Sequence, residues 1–167
     1  TYQWQIGTTG MGGTYSNLSN VAPYSNVGTA TLTINPTTTG LSGNYYRCVV
    51  TGTCTPPATS NPALLTVNSS VTVTGNPSDQ TICEGTGTSF TAAASGSGLI
   101  FQWEVSTNGG STWNNVVNNA NYAGATTPTL TLTNVPPTFN NYRYRNNITS
   151  PPCTPGITTA ATLTVNT

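Results

Sequence analysis

The chain has 167 residues, of which three are basic, three are acidic and none is histidine, giving a formal net charge of zero. With so few cations no basic patch exists to track a phosphate backbone, which excludes nucleic acid as a partner. No apolar run reaches the roughly 18 residues that a membrane-crossing helix needs, and the abundance of Thr, Asn, Gly, Ser and Pro beside few helix-favouring charges predicts an all-β protein.

The chain opens on Tyr2-Gln3-Trp4-Gln5-Ile6, where large apolar residues alternate with amides. Alternation of period two predicts a half-buried strand with Trp4 as its central plug. Glycines between Gly7 and Gly13 predict a loop, followed by a strand over residues 14–18. A further alternating run, Ala30-Thr31-Leu32-Thr33-Ile34, stops at Asn35-Pro36. Tyr45-Tyr46-Arg47-Cys48-Val49-Val50 then puts Tyr46, Cys48 and Val50 on one face, and Ala63-Leu64-Leu65-Thr66-Val67 closes the unit. In a β-sandwich these read as strands C to G, with Tyr46 placed two residues before Cys48 as in a tyrosine corner.

From Ser69 a new unit starts. Val71-Thr72-Val73, then Thr81-Ile82-Cys83-Glu84-Gly85 and Ser89-Phe90-Thr91-Ala92, predict opening strands A and B, with Phe90 at the core position of strand B. Beyond Gly98 the first unit repeats itself. Trp103 answers Trp4, Trp113 answers Tyr15, Tyr122 answers Tyr24, Leu130 answers Leu32, Tyr144 answers Tyr46 and Cys153 answers Cys54, each pair 98 or 99 positions apart. That period fits an immunoglobulin-like unit of roughly 100 residues. The expected architecture is therefore two tandem immunoglobulin-like β-sandwiches: residues 1–68, an incomplete one carrying strands C to G, and residues 69–167, a complete one. The expected core comprises Trp4, Leu32 and Tyr46 in the first unit and Phe90, Trp103, Leu130 and Tyr144 in the second.

The ordered set Cys83-Glu84-Gly85, Phe101-Gln102-Trp103, Gly109-Gly110-Ser111-Thr112-Trp113, Thr129-Leu130-Thr131-Leu132, Tyr144-Arg145 and Thr162-Leu163-Thr164-Val165 resembles the bacterial immunoglobulin-like repeats of large secreted or surface proteins, notably of Bacteroidota. The first unit joins the resemblance through Tyr2-Gln3-Trp4-Gln5 and Gly43-Asn44-Tyr45-Tyr46-Arg47-Cys48. It implies an extracellular repeat module of adhesin-like or filamentous proteins, with no catalytic residues to carry over. Asn146 stands where Cys48 sits in the first unit, a departure from the pattern.

Four cysteines in a chain with no lysine fit an exported, oxidised protein. Cys83, before strand B, and Cys153, after strand F, are expected near one end of the second sandwich and bridged. Closing that loop of about 70 residues stabilises by roughly 4 kcal/mol on the chain-entropy model. Cys54 then needs a partner in an opening segment of the first unit, and a Cys48–Cys54 bridge is the rival. Neither set makes a closed metal site, and no cofactor is expected. Without histidine or lysine the chain lacks a tuned base for acid–base or nucleophilic catalysis, and Asp79, Glu84 and Glu104 do not pair across one site as glycoside hydrolysis requires. The remaining candidate surface is aromatic: Tyr15, Trp113, Tyr24 and Tyr122, able to stack on a sugar or simply to cover a sheet edge.

Two readings follow. One is a non-enzymatic structural module of an extracellular filament, fibre or adhesin stalk, self-associating head to tail, its first sandwich completed by a preceding unit. The other is a glycan-binding accessory module of a secreted enzyme or adhesin. Near-zero net charge favours the first, since nothing repels one copy from another.

Overall fold

The computed structural model describes residues 1–167, which divide into two compact units, Thr1–Val67 and Asn68–Thr167. Unit 1 contains β1 (Tyr2–Gly7), β2 (Tyr15–Asn17), β3 (Tyr24–Ser25), β4 (Thr33–Ile34), β5 (Tyr45–Val50), β6 (Ala58–Thr59) and β7 (Ala63–Leu64). β1 is the centre of one sheet, antiparallel to β5 from Tyr2 opposite Val50 to Gly7 opposite Tyr45, with β2 on its other edge. β6 and β7 line the far side of β5. β3 and β4 form a separate two-stranded ribbon, Tyr24 opposite Ile34.

Unit 2 contains β8 (Thr72–Gly75), β9 (Gln80–Cys83), β10 (Thr88–Thr91), β11 (Ala93–Ser95), β12 (Ile100–Ser106), β13 (Asn114–Asn115), β14 (Tyr122–Ala123), β15 (Thr129–Leu132), β16 (Arg143–Ser150), β17 (Cys153–Ile157) and β18 (Ala161–Asn166). One sheet runs β13-β12-β16-β18-β9, the other β10-β15-β14, and β8 pairs with β11. Alternation decides which side of each strand is inside. Along β16, Tyr144, Asn146, Ile148 and Ser150 are buried while the residues between them are not. The core between the sheets holds Phe90, Trp103, Leu130, Leu132, Val135, Tyr144 and Leu163. The chain is all-β, a tandem of immunoglobulin-like β-sandwiches, and residues 1–67 contain no counterpart of the opening strands β8 to β11.

Two strands of unit 1 come out shorter than their alternation suggests, and for one reason. The run 30–34 keeps only Thr33–Ile34, whereas its counterpart β15 spans Thr129–Leu132 and is held along its whole length by β10. The run 63–67 keeps only Ala63–Leu64, whereas β18 spans six residues, the last four paired with β9. Strand length here is set by the neighbour, and unit 1 lacks that neighbour.

The parallel pairing of β9 with β18 corrects the expected Cys83–Cys153 bridge. Cys83 lies opposite Asn166, at the end of β18, while Cys153 lies opposite Ser150, at the start of β17. The stretch from Cys153 to Asn166 runs down the edge of β16, so the two thiols sit at opposite ends of the sandwich, on the order of 30–40 Å apart at about 3.3 Å per residue. A disulfide needs its Cα atoms within roughly 7 Å. All four cysteines are free: Cys48 buried, Cys153 half-buried, Cys54 and Cys83 exposed. Thiol labelling of the native chain is expected to modify Cys54 and Cys83 first and Cys48 last. A non-reducing peptide map containing a Cys83–Cys153 cross-link would contradict this arrangement.

Candidate functional site

The repeat lets one inner face be compared with itself, covered and uncovered. In both units the tryptophan is fixed by its indole: Trp103 Nε1 donates to the Thr127 carbonyl at 2.9 Å and Trp4 Nε1 to the Thr29 carbonyl at 3.0 Å. Gln102 spans from its strand to the Trp103 and Val116 carbonyls, and Gln3 does the same to Trp4 and Leu18. Behind the tryptophan two tyrosine hydroxyls meet, Tyr122 with Tyr144 at 2.9 Å and Tyr24 with Tyr46 at 3.3 Å. A tyrosine corner ends on a backbone group; here each F-strand tyrosine ends on a second tyrosine instead.

What differs is cover. Trp103, Leu130, Leu132 and Tyr144 are fully buried. Of their counterparts only Tyr46 is buried, while Trp4, Leu32 and Ile34 remain partly exposed. Trp4 and Leu32, expected in the core, therefore stand at an open rim. The reason is Phe90. Its ring stacks on Tyr144, with centroids 4.7 Å apart, and tilts against Trp103 at 6.4 Å, whereas in unit 1 Tyr46 has Tyr24 as its ring neighbour and no counterpart of Phe90. Unit 1 also carries a mostly apolar hollow of about 300 Å³ lined by Ala22, Pro23, Pro36, Thr38 and Leu41. Sequence reasoning missed the hollow and Ile34, although the alignment of Ile34 with the core residue Leu132 was available from the repeat.

The aromatic quartet does not form one surface. Tyr122 is buried, stacked on Phe139 and bonded to Tyr144, which removes it as a contact residue; Tyr24 is partly buried against Tyr46. Trp113 and Tyr15 are separate from them, each with a guanidinium over its ring: Arg145 at 4.1 Å from the Trp113 centroid and Arg47 at 3.9 Å from the Tyr15 centroid. Arg145 is held there by Glu104 at 2.6 Å and Arg47 by Gln5 at 2.7 Å. Cation–π stacking of this kind covers one face of each ring. The adjoining hairpin is locked by Ser106, whose Oγ accepts from the Gly110 N–H at 2.9 Å, and Gly110 (φ 97°) takes a backbone conformation that other residues rarely adopt. No three of the Cys, Asp and Glu side chains gather where they could hold a metal ion.

The tyrosine pairs give a pH signature. Burial, then the hydrogen bond to Tyr46, pushes the Tyr24 hydroxyl up to about 12. Burial also raises Tyr122 and Tyr144 above the ordinary phenol value, Tyr144 further through the neighbouring Tyr122. An unfolded tyrosine ionises near pH 10, so between pH 10 and these raised values the folded state binds more protons than the unfolded one. The stability contributed by Tyr24, Tyr122 and Tyr144 is complete below about pH 10 and lost as pH rises through their folded values. Phenolate absorbance of Tyr122 and Tyr144 is expected to appear together with unfolding above pH 10; their ionisation in a still-folded chain at lower pH would contradict their burial.

A family model described as Domain of unknown function (DUF8696) matches residues 72–167. No curated protein matches the sequence. Among solved structures, Drosophila OTK extracellular domains 3-5 superimpose with a TM-score of 0.65 at 15% identity, covering 100% of this chain and 52% of that one. The I-band fragment I67-I69 from titin gives 0.64 at 10% identity, with 99% and 55% coverage. The Sidekick-1 immunoglobulin domains 1-5 give 0.50 at 18% identity, with 99% and 32% coverage. The chain thus spans about half the length of the first two, and at these identities the likeness is one of fold: tandem immunoglobulin-like domains.

Proposed function

The chain belongs to the family described as a domain of unknown function (DUF8696), and from that premise we propose that it is a non-enzymatic structural repeat module of an extracellular filament, fibre or adhesin stalk, of the bacterial surface type its motifs resemble. The observation that carries this reading is the inner face of unit 1, where Trp4, Leu32 and Ile34 stand partly open while the same positions in unit 2 are sealed. An unpaired strand edge beside exposed apolar side chains is a template for another polypeptide, and addition of a strand supplies main-chain hydrogen bonds together with side-chain pockets. Completion of unit 1 by a preceding unit, with residues 69–167 as the complete sandwich, makes a head-to-tail contact of the kind that generates open filaments. A surface with three positive and three negative side chains offers little repulsion against such packing.

Glycan binding is the weaker reading, because Arg145 occupies one face of Trp113 and Tyr122 is buried in the core. A glycan array is expected to show no binding that Trp113→Ala abolishes. Electron microscopy of the native, cell-produced material tests the main reading: end-to-end polymers or long beaded arrays are expected, and isolated compact particles alone would contradict it.

A further inference from the structure

We propose that Asn108 is a site of spontaneous covalent modification, at which the Gly109 backbone nitrogen attacks the Asn108 side-chain amide, ammonia is expelled, and the imide that forms hydrolyses to an aspartate. The site lies in the hairpin between β12 and β13 of unit 2, and it stands independently of the array reading.

Asn108-Gly109 is the one Asn-Gly step in the chain. Glycine matters because the attacking nitrogen must reach Cγ, and a side chain on the following residue would stand in the way. Both residues are exposed, and the space around Gly109 is open. The Gly109 N–H donates to no group of the chain, so attack breaks no hydrogen bond. The Asn108 Oδ1, by contrast, accepts from two donors, the Ser106 hydroxyl and the Thr112 N–H, each at 2.9 Å. The first of these has a fixed direction: the Ser106 Oγ already accepts from the N–H groups of Asn108 and Gly110, at 3.4 and 2.9 Å, which leaves its one hydrogen for Oδ1. Attack on Cγ turns Oδ1 into an oxyanion, and preset donors aimed at such an oxygen stabilise the tetrahedral intermediate. Asn68-Ser69 shows the contrast, because there the following N–H is already engaged, donating to Ser97 Oγ at 3.2 Å.

The reaction needs only water. In the first step the bond from the Gly109 nitrogen to Cγ forms, the Cγ–Nδ2 bond breaks, and the proton of the Gly109 nitrogen leaves with Nδ2 as ammonia. Water then opens the imide at one of its two carbonyls. Opening at Cγ restores the normal backbone with an aspartate side chain, whereas opening at the main-chain carbonyl routes the backbone through the side chain and lengthens it. The hairpin favours the normal product, because Ser106 Oγ gathers the N–H groups of both Asn108 and Gly110 and a longer backbone between them would spoil that spacing. The new carboxylate keeps the Ser106 and Thr112 donors. Where Nδ2 now donates to Thr112 Oγ1 at 2.8 Å, a carboxylate oxygen accepts from the same hydroxyl turned round. Arg143, whose Nη1 donates to the Gly109 carbonyl at 2.8 Å, holds a positive charge at the turn. Modification thus converts neutral hydrogen bonds into stronger, charge-assisted ones and takes the chain from a formal net charge of zero to one negative charge.

The test uses the intact 167-residue protein, incubated at neutral pH and followed by peptide mass mapping and ammonia release. Asn108 is expected to convert at least about tenfold faster than Asn68, a modest fraction of what a pair of oxyanion donors supplies. It is also expected to convert at least as fast in the folded chain as in the same chain unfolded in guanidinium, with a larger share of the normally linked aspartate. Asn108→Gln, whose longer side chain closes a less favourable ring, is expected to abolish the release of ammonia from this hairpin. Slower conversion in the folded chain than in the unfolded one would show that the hydrogen bonds protect Asn108 and would overturn the proposal, as would similar rates at Asn108 and Asn68. Asn108→Asp examines the product directly: its Tm at neutral pH is expected to equal or exceed that of the parent chain, and a lower Tm would contradict the fit of a carboxylate in this hairpin.

Discussion

Trp103→Ala is expected to destabilise unit 2 by about 3–5 kcal/mol, the range for deleting a large aromatic from a core. Trp103 is fully buried, lies against Phe90 and donates its indole N–H to the Thr127 carbonyl. The substitution therefore opens a cavity in the core and removes the indole's hydrogen bond to the Thr127 carbonyl. Against a typical domain stability of about 5–15 kcal/mol, the loss is enough to unfold the unit under mild denaturant. Trp4→Ala should cost less in the isolated chain, because Trp4 is already partly exposed. Denaturant titration followed unit by unit checks both, and an unchanged midpoint for Trp103→Ala would contradict the packing of the second sandwich.

Phe90→Ala is expected to cost a comparable amount, about 3–5 kcal/mol, and to do something more specific. Removing the ring uncovers the faces of Tyr144 and Trp103 and loosens β10 from β15. Unit 2 should then resemble unit 1: faster amide exchange across residues 129–132, and a tryptophan environment shifted toward solvent. A loss below about 1 kcal/mol, well short of the range for a buried phenylalanine, would mean that Phe90 is not the plug that separates a closed sandwich from an open one.

The fold was largely legible before any coordinates, because its longest strands carry strict alternation. β1, β5, β12 and β16 each put a tryptophan or tyrosine on one side and amides or arginine on the other, and the spacing of Trp4 and Trp103 exposed the repeat. Harder to read were features that depend on a neighbour rather than on a strand's own residues. β4 and β7 shrink to two residues each because nothing pairs with their outer edges, and no local pattern announces a missing partner. Cys83 was placed at the wrong end of the sandwich because β9 runs parallel to β18, a pairing between residues about 80 positions apart in the sequence. Tyr122 looks like a surface aromatic until the hydroxyl of Tyr144 is found beside its own. The open face itself was legible as a gap in the strand count, whereas the hollow was visible only once Leu41 and Pro36 had been brought together.

The central claim, that the second sandwich is sealed while the inner face of residues 1–67 is left partly uncovered, is tested most directly by hydrogen exchange of the purified chain at low concentration. The two repeats then serve as each other's control. Amides at residues 129–132 and 161–166 should be protected at close to the global stability of unit 2, while those at 30–34 and 63–67 exchange orders of magnitude faster through local opening. Equal and strong protection at both sets in a monomeric chain would show that the face of unit 1 is as well covered as that of unit 2, and would contradict the account.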